Sequence, residues 1–180
     1  MNIEFLTVAK EYCLLVENCG RYSRSDFKKV ASRMLGYLYV RASVLNIKEE
    51  DYFLDGELSE AVDEFTYQNI WDSLSDALGS NDEYIRLEDV RRNDEVMQAS
   101  ISEDMADIYQ SLKNYCASCE MGIDEISHDA ELKVYEDFKG YWGLHLCNAL
   151  TALHNLIYST DSIDDDAVDD NEYSTEQEDV

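Results

Sequence analysis

The sequence predicts an all-α fold: a single-domain bundle of five to six helices over residues 1–158, followed by a disordered acidic tail over 159–180. Three observations carry this expectation. The 180 residues include no proline, against an average usage of about 5%, so long helices run uninterrupted. Apolar residues make up 45% and recur at the three- and four-residue spacing of a helix face. The final 22 residues carry ten carboxylates and no Lys or Arg, a composition that cannot bury a core.

The first helix is expected from about Asn2 to Asn18. Phe5, Val8, Tyr12, Leu15 and Cys19 form its stripe, which Leu6 and Cys13 widen, so much of its circumference should be buried. Gly20 is expected to close it as a left-handed cap. The second helix opens on Ser25 as N-cap, with Asp26 in the dipole-favoured first turn. Phe27, Val30, Met34, Leu38 and Leu45 share a face, and at 100° per residue Arg41 falls inside that stripe. The acidic segment from Asn46 to Glu64 receives no assignment. A third helix spans Thr66 to Leu78, turning Tyr67, Ile70, Leu74 and Ala77 inward, with Gly79 as its stop.

Residues Ser80 to Ala99 lack helical periodicity. A connection of that length in a compact domain is more often functional or locally structured than empty, and Tyr84, Ile85 and Leu87 are the side chains that would anchor it. Ser100-x-x-Glu103 forms a capping box opening the fourth helix, whose stripe is Ile101, Met105, Ile108, Leu112, Cys116 and Cys119. The last helical region runs from Ser127 to Tyr158 on Tyr135, Phe138, Trp142, Leu146, Ala149, Leu153 and Leu156. Gly140 and Gly143 inside it cost helix stability and mark a kink or the close approach of another helix beside Trp142.

Forty acidic side chains against fourteen basic ones give a net charge of −26. Taking the tail's ten charges away leaves −16, so the acidity belongs to the body as well. Duplex binding rests on Lys and Arg neutralising phosphates, which argues against direct nucleic-acid contact. An anionic membrane surface is disfavoured for the same reason. The run Ile3 to Val16 is interrupted by Glu4, Lys10 and Glu11 and reads as neither signal peptide nor membrane span. The five cysteines, an odd number on helix-like segments, have the usage of reduced thiols. A cytosolic location is expected.

Several constellations invite chemistry. Cys116-x-x-Cys119 lies late in an amphipathic helix, without the helix N-terminus that thioredoxin chemistry needs or a second pair for zinc, so both read as packed thiols. Glu125-x-x-His128 is half of a di-iron motif whose other half is missing. His145 and His154, nine residues apart, point to opposite sides of a regular helix. The acidic turn Glu103, Asp104 and Asp107 suits a helix N-terminus, and by angle Asp104 borders the apolar stripe while Asp107 points further outward. A guanidinium on a core face demands a carboxylate. Arg41 and Asp104 therefore form either a structural ion pair or part of a ligand-facing pocket. No phosphate loop, nucleophile elbow, zinc helix or EF-hand loop is present, and neither cofactor nor metal is implied.

The stretch Glu103-Asp-Met-Ala-Asp107-Ile-Tyr109-Gln-Ser-Leu112, with Trp142-Gly-Leu-His145-Leu and Ala149-Leu-Thr-Ala-Leu-His154, resembles a bacterial family catalogued as domain of unknown function 5063. Leu38-Tyr39 and Leu78-Gly79 before Tyr84 fit the same pattern. The likeness covers about Ile3 to Tyr158 and omits the tail. It implies an all-helical cytosolic bacterial domain and brings no established activity. Where the family pattern has a second aspartate after Asp107-Ile-Tyr-Gln, this chain has Ser111.

The leading functional expectation is a non-catalytic protein-interaction module that recruits a partner through a surface groove or the acidic tail, with a charge pattern suited to steering basic partners. The alternative is a small-ligand or metal site between helices, built from Arg41, Asp104, Asp107, Tyr109, Trp142 and His145. A third is nucleic-acid mimicry by the acidic surface.

Overall fold

The computed structural model describes residues 2–47, 58, 60–87 and 96–159. The acidic tail lies outside the described residues, as does most of the acidic segment between the second and third helices. Six α-helices and one hairpin follow in chain order: α1 (Ile3–Glu17), α2 (Arg24–Ser43), α3 (Glu64–Leu78), β1 (Glu83–Leu87), β2 (Val96–Ser100), α4 (Ile101–Glu120), α5 (Asp124–Asp137) and α6 (Gly143–Tyr158). The chain is helical as expected, with one small antiparallel ribbon added.

α4 is the hub, packing against α1, α3, α5 and α6. Most of its first nine residues are buried whichever way they point: Ile101, Ser102, Asp104, Met105, Ala106, Asp107, Ile108 and Tyr109. Apart from Glu103, which is exposed, the polar residues of this stretch have no solvent face. Its buried carboxylates must therefore find partners inside the protein or remain costly. Around it, Phe5, Phe27, Leu35, Leu38, Leu74, Leu78, Trp142 and Leu146 join one continuous apolar core.

Local chemistry explains the boundaries, and several differ from expectation. Asn2 caps α1 by accepting the Phe5 N–H at 3.0 Å. The helix stops at Glu17, followed by a 3-10 turn over Cys19–Arg21. Gly20 is not left-handed, because that turn dissipates the helix end before a left-handed cap is needed. α2 is capped by Ser23, which accepts the Asp26 N–H at 3.1 Å, so the N-cap lies two residues before Ser25. Asp63 caps α3 through the Thr66 N–H at 2.8 Å, starting that helix at Glu64. Gly79 stops α3 as expected, at φ 63°, a left-handed conformation that costs a Cβ-bearing residue dearly.

The aperiodic stretch is a hairpin, with Glu83 opposite Ser100 and Leu87 opposite Val96. It also completes the cap of α4. Ser100 accepts the Glu103 N–H at 3.2 Å as the capping box requires. The other first-turn donors go to Asp82: its carbonyl takes the Ile101 N–H at 2.9 Å and its carboxylate the Ser102 N–H at 2.8 Å. Orphan N–H groups at a buried helix start are thus satisfied across twenty residues of chain.

The last helical region is two helices joined by a π-helical turn, Phe138–Trp142. Gly143 shows why: a Cβ there would sit 2.2 Å from the Phe138 carbonyl oxygen. The close approach beside Trp142 is the chain's own widened turn rather than a neighbouring helix. Gly140 meets nothing nearby. Trp142 is fully buried and donates its indole N–H to the Val134 carbonyl at 2.9 Å.

Candidate functional site

Asp104 and Asp107 stand one turn apart on α4, so their carboxylates project on the same side. The widened turn before α6 delivers Tyr141 and His145 to that side, four residues apart, their rings 4.8 Å apart and edge-to-face. His145 Nδ1 lies 2.6 Å from Asp104 Oδ1 and 3.5 Å from Asp107 Oδ2. Tyr84 of β1 donates its hydroxyl to Asp104 Oδ2. Tyr67 of α3 donates to Asp107 Oδ1 at 2.9 Å. Tyr141 also hydrogen-bonds Asp107, so α3, the hairpin, and the widened turn with α6 converge on α4 through one polar knot.

The electrostatics follow from that geometry. The Asp104 hydrogen bond raises the imidazole of His145 above its ordinary 6.5; burial and the charge of Arg86 oppose the rise. Burial, reinforced by the two carboxylates, pushes the phenols of Tyr67, Tyr84 and Tyr141 well above their usual range. These tyrosines stay protonated and act as donors. An imidazole held by a carboxylate through Nδ1 is oriented as a general base would be, but here the side chain is only 18% exposed. Among the described residues, no group of three or more His, Cys, Asp or Glu side chains is disposed to hold a metal ion.

Three of the six residues singled out from the sequence gather here: Asp104, Asp107 and His145. The other three do not. Arg41 pairs with Glu4 of α1, not with Asp104. The buried face of α2 centres on Ala31, Leu35, Leu38 and Ala42, further round than Val30 and Met34 suggest, which puts Arg41 at its margin where α1 can reach it. Tyr109 donates to Glu17 at 2.9 Å, beside Lys113, which reaches the same oxygen at 2.6 Å. Trp142 is core. Asp107 is buried rather than outward, because α3 and α6 close over the turn it occupies.

Tyr67, Tyr84 and Tyr141 complete the site and are not among those six residues. Tyr141 could have been found as the residue four before His145, on the same helical face. Thirteen tyrosines against three histidines was a further signal that buried carboxylates would be met by phenols. Elsewhere, Cys116 is a buried free thiol held below its usual range by its hydrogen bond with Cys13 rather than by Cys119, while burial pushes Cys119 up to about 11. His154 is exposed and turned away from His145.

On the far side of Tyr84 lies a cavity of about 480 Å³ between the hairpin and α6, lined by Arg86, Leu87, Asn148 and Leu156 among others. A shallower groove of about 330 Å³ runs between α1 and α2 past Glu4, Glu11, Met34, Tyr37 and Arg41.

Over residues 1–159 the sequence matches the family described as Domain of unknown function (DUF5063). The crystal structure of protein BF1032 from Bacteroides fragilis superposes with a TM-score of 0.79 at 31% identity, covering 89% of this chain and 94% of that one. No curated protein matches the sequence. No helix among the described residues is long and apolar enough to cross a membrane.

Proposed function

The chain belongs to the DUF5063 family, and from that premise we propose that it is a non-catalytic interaction module whose α1–α2 groove receives a basic, amphipathic partner segment. One observation carries this reading. Tyr37 and Val40 of α2 and Val44 at its C-cap are 55%, 55% and 61% exposed, yet they fall within one narrow arc at 100° per residue, well away from the buried Leu35–Leu38–Ala42 face. Scattered apolar side chains are ordinary on a surface, whereas an ordered row beside a groove fits the anchors of helix-in-groove recognition.

Charge specifies the partner. Glu4 and Glu11 line the groove, Arg41 is already engaged by Glu4, and a chain at −26 attracts cations and repels anions on approach. The chemistry-bearing cluster supports a non-catalytic role by its closure, since the carboxylates that could act as bases already hold protein donors.

Affinity capture from native lysate tests the reading, comparing the wild-type chain with Tyr37→Lys/Val44→Lys. A stoichiometric partner that binds the first and is lost from the second is expected. A wild-type chain that captures none, or a variant that keeps the same partner, would contradict it.

A further inference from the structure

The cavity between the hairpin and α6 brings together two buried donors without a hydrogen-bond partner, where the α1–α2 groove has one, Arg41 Nε. Two of its lining residues hold a buried donor without a hydrogen-bond partner: Arg86 Nε and Asn148 Nδ2. A buried donor left unpaired costs about 1–3 kcal/mol. One stands on each side of the cavity, on β1 and on α6, and one is cationic, so two donors there have no acceptor to meet them. Ile85, Leu87, Ile101, Ala152 and Leu156 give the cavity an apolar wall, beside the polar side chains of Asn81, Thr151 and Asn155. The carboxylate that also lines it, Glu83, is exposed and accepts from Gln98 across the hairpin at 2.8 Å.

We propose that this cavity binds a small monocarboxylate with a short apolar body, its carboxylate accepting from Arg86 and Asn148 and its body lying against the aliphatic wall. A carboxylate supplies the acceptors that both donors lack and matches a guanidinium in shape. Its single charge suits a site with one cation in a strongly acidic protein, where a phosphate dianion would meet more repulsion. A volume of about 480 Å³ falls in the range of small-molecule pockets. The site is separate from the α1–α2 groove and stands whether or not that groove binds a partner.

Arg86 is also electrically felt by His145, whose protonation it opposes. An anion seated on Arg86 offsets that field, so binding raises the His145 titration midpoint, a readout that no merely structural role of Arg86 would give.

Sodium hexanoate is the probe, titrated into the full chain and followed by amide NMR. Hexylamine keeps the tail and reverses the charge; inorganic phosphate keeps the negative charge and drops the tail. Saturable shifts in residues 84–87 and 148–156 are expected with hexanoate, with the other two probes at least about tenfold weaker. Arg86→Gln should weaken hexanoate by about tenfold and abolish the His145 shift. Should that variant fail to fold by circular dichroism, Asn148→Asp, which sets a carboxylate in the site, should lose binding instead. Hexanoate that leaves these residues unmoved, hexylamine or phosphate binding as tightly, or folded variants binding like wild type would each overturn the proposal.

Discussion

Tyr84 separates two polar environments. Its hydroxyl belongs to the first, where Asp104, Asp107, His145 and Tyr67 meet. Its residue also lines the second, where Arg86 and Asn148 face a cavity. By residue type the first is the more suggestive, having two buried carboxylates and a histidine. By hydrogen bonding it is complete, and the second is not. Burial of titratable groups therefore does not by itself mark a place where something binds; unused donors and acceptors mark it better. In the first environment the charges are consumed in joining α3, α6 and the hairpin to α4. In the second the hairpin presents a cation with valence to spare.

The largest effect should come from breaking the complete side. Asp104→Ala strands the Tyr84 hydroxyl and the imidazole of His145 together, and loss of one partner from a buried charged pair typically costs about 3–5 kcal/mol. Urea unfolding would measure it; a loss under about 1 kcal/mol would mean that the knot holds little. Gly143→Ala comes next, because its Cβ meets backbone, not a yielding side chain. About 2–3 kcal/mol is expected from such overpacking, with displacement of the His145 resonances, since the widened turn aims that ring. Tyr84→Phe and Tyr67→Phe each remove one donor to a carboxylate and should cost about 1.5–2 kcal/mol.

Smaller, and diagnostic by sign, is the pH dependence. His145 has a folded-state value raised above 6.5. Its contribution is therefore fully present below 6.5 and is lost as pH rises through the folded value. Stability should fall over that window in the wild type and lose this slope in His145→Gln. Least of all, Arg86→Gln should cost no stability and gain up to about 1 kcal/mol, because it removes a group whose buried Nε–H has no hydrogen-bond partner. A large loss there would erase the distinction between the two environments.

How far the sequence disclosed this arrangement depended on the period of the signal. The helices were legible because one turn of α-helix repeats within a few residues; α3 and α4 show their stripes and Gly79 its stop. The hairpin was not, since five-residue strands half exposed on a two-stranded ribbon give no alternation to read. Asp104, Asp107 and His145 were recognisable as residues with chemistry near an apolar stripe. Their partners were harder to name, because pairing is decided by which elements touch. Arg41 lay close enough to the core angle of α2 to suggest Asp104, but a shift of the buried face toward Ala31 and Ala42 handed it to Glu4. Asp82, whose carboxylate takes both the Ser102 N–H and its hydroxyl, gave no local sign, its target being twenty residues away. The Gly140–Gly143 pair suggests a kink or a close helix, and the second glycine alone is what the π-helical turn requires.

The closure of the Asp104–His145–Asp107 knot is tested most directly by the imidazole itself. Histidine NMR across a pH series reports both the titration midpoint of His145 and the state of its Nδ1 proton. A midpoint above 6.5, with an Nδ1 proton protected from exchange by the Asp104 hydrogen bond, is the expected result. A midpoint at or below 6.5, or an Nδ1 proton exchanging freely with solvent, would contradict it.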